Sequence, residues 1–73
     1  MTDKQFLIAL GKNISRIRKE KGVKQIDLWY QCDIEKSNLI RLEKGRTNPT
    51  TLTLRKIGKA LKVPVKNFFE GLE

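Results

Sequence analysis

Apolar residues recur along most of this chain at helical spacing. Leu7, Leu10, Ile14 and Ile17 stand three, four and three residues apart, giving one buried face to a helix over 2–21. Thr2 or Asp3 is placed to cap its start, and Gly22 to end it after the basic run 16–21. A glycine inside a helix costs about 1 kcal/mol relative to alanine, so Gly11 predicts the close approach of a neighbour. Leu28 and Cys32 lie four apart, and Leu39 and Leu42 three apart, which marks two short helices within 25–45. The break between them, 32–35, holds Asp33 where a turn or left-handed residue is needed, and aspartate tolerates that backbone better than most. Gly45 stops the second helix. Helices of about two turns joined by so short a break form a helix-turn-helix, and neither can bury its stripe alone.

The remaining chain supplies the surface on which they pack. After a loop at 46–49, Thr50 or Thr51 caps a fourth helix that runs to about 61, with Leu54, Ile57 and Leu61 inward and Gly58 and Ala60 keeping one side slim. Pro64 forces Val63 into an extended conformation before a last short helix, 65–70, whose Phe68 faces the core. No strand pattern, repeat or low-complexity tract interrupts this order. The expectation is an all-α fold, a compact five-helix bundle forming a single domain over 1–73.

Composition narrows the chemistry. One cysteine and no histidine leave no internal disulfide and no plausible zinc or haem site. Cys32 lies on an inner stripe and has no histidine to activate it, so neither an enzyme nor a cofactor is expected. A free thiol fits a reducing cytoplasm. The opening 1–13 has a short apolar run behind an acidic residue and no small-residue cleavage site, so it reads as helix and not as a signal peptide; nothing approaches a membrane span. The net charge of +8 points to a polyanion, nucleic acid first and acidic lipid second. Between Lys36 and Lys66 nine basic residues face one acid, Glu43, which is the asymmetry a phosphate-facing surface needs.

The spacing of landmarks then becomes specific. Leu10-Gly11 with Ile14, Ile17 and Arg18, then Lys24-Gln25 with Leu28, lead into Ile34, Leu39, Leu42-Glu43, Gly45 and Pro49. Leu54, Ile57-Gly58-Lys59-Ala60-Leu61 and Val63 follow. This series resembles the Cro and lambda-repressor-like helix-turn-helix family over about 7–70, nearly the whole chain. The resemblance implies a DNA-binding domain that is usually a dimer on a two-fold operator. Two positions depart from the family: Trp29 stands where a small residue is usual, and Asp33 where glycine is usual.

The N-terminal turn of the second motif helix, 36–44, would enter the major groove. Lys36 and Arg41 can donate to guanine O6 and N7, Ser37 can bond either way, and Ile40 can meet a thymine methyl. The resemblance puts Gln25 and Asn38 on phosphate, and Lys24, Lys44, Arg46 and Thr47 flank the same surface. Gln25 opens the first motif helix, where free N–H groups attract an anion. The resemblance also implies an ion pair between Arg18 and Glu43 that ties the first helix to the third. Val65, Phe69 and Leu72, four and three apart, form a second stripe with no element left to cover it, so they are the expected homodimer interface, the alternative being a tail that covers its own core.

These features describe a homodimeric, sequence-specific transcriptional regulator of double-stranded DNA, of repressor or controller type. It would act in a bacterial or phage-infected cytoplasm, on the nucleoid, with no small-molecule ligand and no membrane. The alternative is a protein-interaction module of the same fold, such as the antitoxin of a toxin–antitoxin pair. An antitoxin usually carries a further segment to grip its toxin, and only about three residues follow the last helix here.

Overall fold

In a computed structural model, which describes residues 1–73, four α-helices are followed by one 3-10 turn. Helix α1 is Asp3–Glu20, α2 is Gln25–Cys32, α3 is Lys36–Glu43, α4 is Thr51–Leu61, and the 3-10 turn is Val65–Phe69. Thr2 accepts the amide of Gln5, and the Gln5 side chain accepts the amide of Thr2, a reciprocal cap that starts α1. Thr50 plays the single-sided version for α4 by accepting the amide of Thr53.

The expected fifth helix over 65–70 is a correction. Its amides bond three residues back, Asn67 to the Pro64 carbonyl at 3.0 Å and Glu70 to that of Asn67 at 3.5 Å. Five residues leave too little chain to complete more than one four-residue hydrogen bond, so the tighter turn forms instead. The Asn13 amide group holds the end of that turn, donating to the Phe68 carbonyl at 2.9 Å and to that of Glu70 at 3.0 Å.

Helix α1 packs on α3 and the 3-10 turn, while α2 packs on α3 and α4. Leu10, Ile14, Leu28, Leu39, Leu42, Ile57, Leu61 and Phe68 meet at the centre, with Cys32 among them. The backbone of α3 comes down directly on α1. A methyl group added at Gly11 would lie 2.7 Å from the Glu43 carbonyl oxygen and closer still to that of Leu42. The close approach expected at Gly11 is therefore a helix-to-helix contact that no side chain could survive unmoved.

Val65, Phe69 and Leu72 are not an uncovered stripe. All three are half-buried and pack against the core. The Phe69 ring stands 6.3 Å from that of Phe6 at the start of α1, an aromatic contact that covers it. The expectation of a bare apolar face failed because it left Phe6 out of the packing.

Candidate nucleic-acid interface

The motif turn begins at Asp33, whose backbone is left-handed (φ 54°, ψ 43°), and this swings the chain from the axis of α2 to that of α3. Ile34 then drops into the core and returns its amide to the Trp29 carbonyl at 3.0 Å. Trp29 itself is half-buried, packed against the core, and Tyr30 beside it is 85 % exposed. A large side chain is accommodated at that position with its ring only half-buried.

Helix α3 is amphipathic in the way that matters here. Leu39 and Leu42 are buried, Lys36, Ser37 and Arg41 are exposed, and Asn38 and Ile40 are half-buried at the boundary. Ser37 and Arg41 stand one turn apart and Lys36 adjoins Ser37, so a partner meeting the outward half of α3 meets all three. Lys44 caps the helix end, and Arg46 returns its amide to the Arg41 carbonyl at 2.8 Å, which holds the following loop under α3. Arg46 is exposed and Thr47 half-buried in that loop.

Three side chains lock α3 against the helices around it. Arg18 donates from Nε to Glu43 Oε2 at 2.8 Å and from Nη2 to Oε1 at 3.2 Å. Its Nη1 donates to the Val23 carbonyl at 2.8 Å, so the guanidinium also pins the chain entering α2. Gln25 Nε2 donates to Glu43 Oε1 at 3.0 Å. The ion pair is almost fully enclosed, with side-chain exposures of 8 % and 6 %. Such a pair adds little net stability compared with apolar groups, but it fixes orientation, because breaking it strands a charge. The part of Gln25 in this network was not legible from spacing, since its partner lies 18 residues away.

At the start of α2 no side chain caps the helix. Lys24 is exposed there and Gln25 is half-buried, so the first amides of α2 look outward beside two side chains able to donate. Cys32 lies apart from this surface: its thiol donates to the Lys56 carbonyl at 3.5 Å, and burial pushes the thiol above its ordinary range, an effect only partly offset by the Lys56 charge. Val65, Phe69 and Leu72 lie on the 3-10 turn and just beyond it, and that turn packs mainly on α1 and α4.

A helix-turn-helix family model, HTH_3, matches residues 14–68. The chain belongs to that family. HTH_3 members are Cro and lambda-repressor-like regulators of transcription that bind DNA and are not enzymes, and this chain is a regulator of that type. Among relatives, an uncharacterized HTH-type transcriptional regulator, y4dJ, of Sinorhizobium fredii is 39% identical over 54 residues, covering 74% of this chain and 70% of the relative. The immunity repressor protein of Bacillus phage phi105 is 33% identical over 58 residues, covering 80% of this chain but 40% of the repressor.

Solved HTH_3-like structures agree with the fold. The restriction-modification controller protein C.AhdI from Aeromonas hydrophila superposes with a TM-score of 0.83 at 24% identity, over 86% of this chain and 96% of that one. A variant of the restriction-modification controller protein C.Esp1396I reaches 0.79 at 34% identity, over 89% of this chain and 84% of its own. No helix of this HTH_3 chain is long and apolar enough to cross a membrane.

Proposed function

We propose that this regulator binds double-stranded DNA sequence-specifically as a homodimer and acts by occupancy, as a repressor or controller at a promoter in the bacterial cytoplasm. The observation that carries the reading is the division of α3 into a buried side, Leu39 and Leu42, and an outward side bearing Lys36, Ser37 and Arg41. With α3 in the major groove, Lys36 and Arg41 donate to guanine O6 and N7, Ser37 bonds to a base edge, and Ile40 meets a thymine methyl. Lys24, Gln25, Asn38, Lys44, Arg46 and Thr47 hold phosphates on either side, and the uncapped start of α2 offers backbone amides to one of them. Gln25 can serve both ends, since its amide nitrogen is engaged by Glu43 while its backbone N–H remains at the helix start. The likeness to an immunity repressor and to controller proteins supports this class of action.

One recognition helix covers too few base pairs to select a genomic site, so a second copy is needed. The half of Val65, Phe69 and Leu72 that the core and Phe6 leave exposed is the apolar surface offered to it, and a two-fold pair would set the α3 helices about 34 Å apart on an operator of matching symmetry. Selection of bound sequences from a random duplex pool tests the reading, and a two-fold symmetric consensus is expected. On that operator Lys36→Ala and Arg41→Ala should each lose about 1–3 kcal/mol and relax one base position, whereas Arg46→Ala should weaken all sequences alike. If Arg41→Ala lowered operator and random-DNA affinity by the same factor, its role as a base reader would be refuted.

A further inference from the structure

We propose that the solvent face of α4 is a second DNA-binding surface, which grips the phosphate backbone of a duplex other than the one read by α3. Arg55, Lys56, Lys59 and Lys62 are all exposed; Arg55, Lys59 and Lys62 follow at four- and three-residue steps along one side of the helix, with Lys56 beside Arg55 and three residues before Lys59. Lys66, exposed on the 3-10 turn, continues the row. There is no acidic residue between Glu43 and Glu70. The chain's ion pairs are Met1 with Glu73, Arg16 with Glu20 and Arg18 with Glu43, so every cation of the row is unpaired.

Such a row has a cost that its own fold does not offset. Like charges three and four apart on a helix repel and weaken it. Attraction to the negative helix end favours Lys59 and Lys62 in the last turn, but not Arg55 and Lys56 nearer the middle. Lys62 adds a backbone observation: it ends α4 in the left-handed region (φ 58°), where glycine sits without strain and a long side chain does not. A cation kept at that position extends the row past the end of the helix.

Helix α4 packs on α2 and the 3-10 turn, whereas α3 packs on α1 and α2, so the two helices share α2 as a neighbour and are otherwise seated on different elements. Cations on one helical side recur every ~5 Å, at 1.5 Å of rise per residue, and carry no apolar or hydrogen-bonding pattern that would select a particular protein surface. That is the chemistry of sequence-independent backbone contact. A dimer held on its operator by α3 would thereby present a basic helix to a second duplex and bridge the two.

The inference rests on the DNA-binding reading only for the operator used to anchor the protein, and the experiment has an arm that does without one. In the first arm, protein bound to an immobilised operator captures a labelled duplex lacking operator sequence. The variant R55Q/K56Q/K59Q/K62Q should lose that capture by roughly tenfold or more at low salt, with operator affinity nearly unchanged. Its melting temperature should rise by a few degrees as the repulsion is relieved, which shows that it folds.

In the second arm, Lys36→Ala with Arg41→Ala disables the recognition turn. Residual duplex affinity is then followed against salt, and removing the four α4 cations should make the logarithmic slope shallower by about 3.6, at ~0.9 per phosphate contact. Wild-type protein that captures no second duplex, a quadruple variant that captures it as well as wild type, or an unchanged slope would each overturn the proposal. Polyglutamate that displaces the second duplex as well as unlabelled DNA does, charge for charge, would also overturn it, in favour of an acidic protein partner.

Discussion

Replacing Gly11 by alanine tests how closely α3 is seated on α1. On an exposed helix the change is favourable by about 1 kcal/mol, because alanine restricts the unfolded chain and glycine does not. Here the new methyl would sit 2.7 Å from the Glu43 carbonyl oxygen and 2.9 Å from its carbonyl carbon, against backbone atoms that have no rotamer to escape into. Ordinary contact begins near 3.4 Å, so α3 must retreat by most of an ångström. Overpacking of this kind costs about 1–3 kcal/mol, and movement of α3 also strains the enclosed Arg18–Glu43 pair. The net expectation is a loss of about 1–2 kcal/mol, or roughly 5–15 °C in melting temperature for a domain of this size. Urea unfolding followed by the fluorescence of Trp29, the chain's one tryptophan, measures it, with Lys12→Ala on the exposed side of α1 as the reference. A Gly11→Ala protein as stable as that reference, or more stable, would mean that α3 is not held at backbone contact.

Removing either partner of the buried ion pair, by Arg18→Ala or Glu43→Ala, should cost about 3–5 kcal/mol, because the survivor keeps its charge without water; a melting temperature within two degrees or so of wild type would refute the enclosure. Asp33→Gly should stabilise the domain by about 0.5–1 kcal/mol by relieving the left-handed backbone at the motif turn, and a loss in urea unfolding would show that the aspartate side chain contributes more than the strain it carries. Leu72→Asp, further along the chain from the ring contact with Phe6 than Phe69 is, should yield a folded monomer that keeps weak, salt-sensitive DNA affinity; sedimentation equilibrium showing a dimer in the variant, or a monomer in wild type at tens of micromolar, would exclude that surface.

The parts of this fold that were legible in the sequence are those whose physics is local. Helix starts at Thr2 and Thr50 are written in residues three positions from their partners, and the inner stripes of α1 and α4 in steps of three and four. The close contact at Gly11 was legible as a glycine without local reason. What escaped was set by partners distant in sequence. Asn13 takes the carbonyls of Phe68 and Glu70, 55 and 57 residues away, and nothing near either end announces that clasp. Spacing cannot tell a five-residue 3-10 turn from one turn of α-helix, because residues three and four apart share a side in both. Phe6 falls outside the regular stripe of α1, so its cover over Phe69 was invisible until the two ends of the chain met.

The candidate DNA surface divides the same way. That the outward residues of α3 are Lys36, Ser37 and Arg41 follows from where Leu39 and Leu42 must go, and so is a consequence of local pattern. How rigidly they are presented depends on Glu43. Its carboxylate accepts from Arg18 on α1 and from Gln25 at the start of α2, so one anion joins the end of α3 both to α1 and to the helix start that would face a phosphate backbone. Those three hydrogen bonds come from two side chains on different elements, and a rotation of α3 about its axis would break at least one of them. A helix of eight residues has little stiffness of its own, being too short to hold together in isolation. Its orientation therefore comes from Glu43 at one end, Gly11 beneath that end, and the left-handed Asp33 before the other. Base recognition tolerates only small displacements of a donor, so these structural residues bear on selectivity although none of them needs to touch a base.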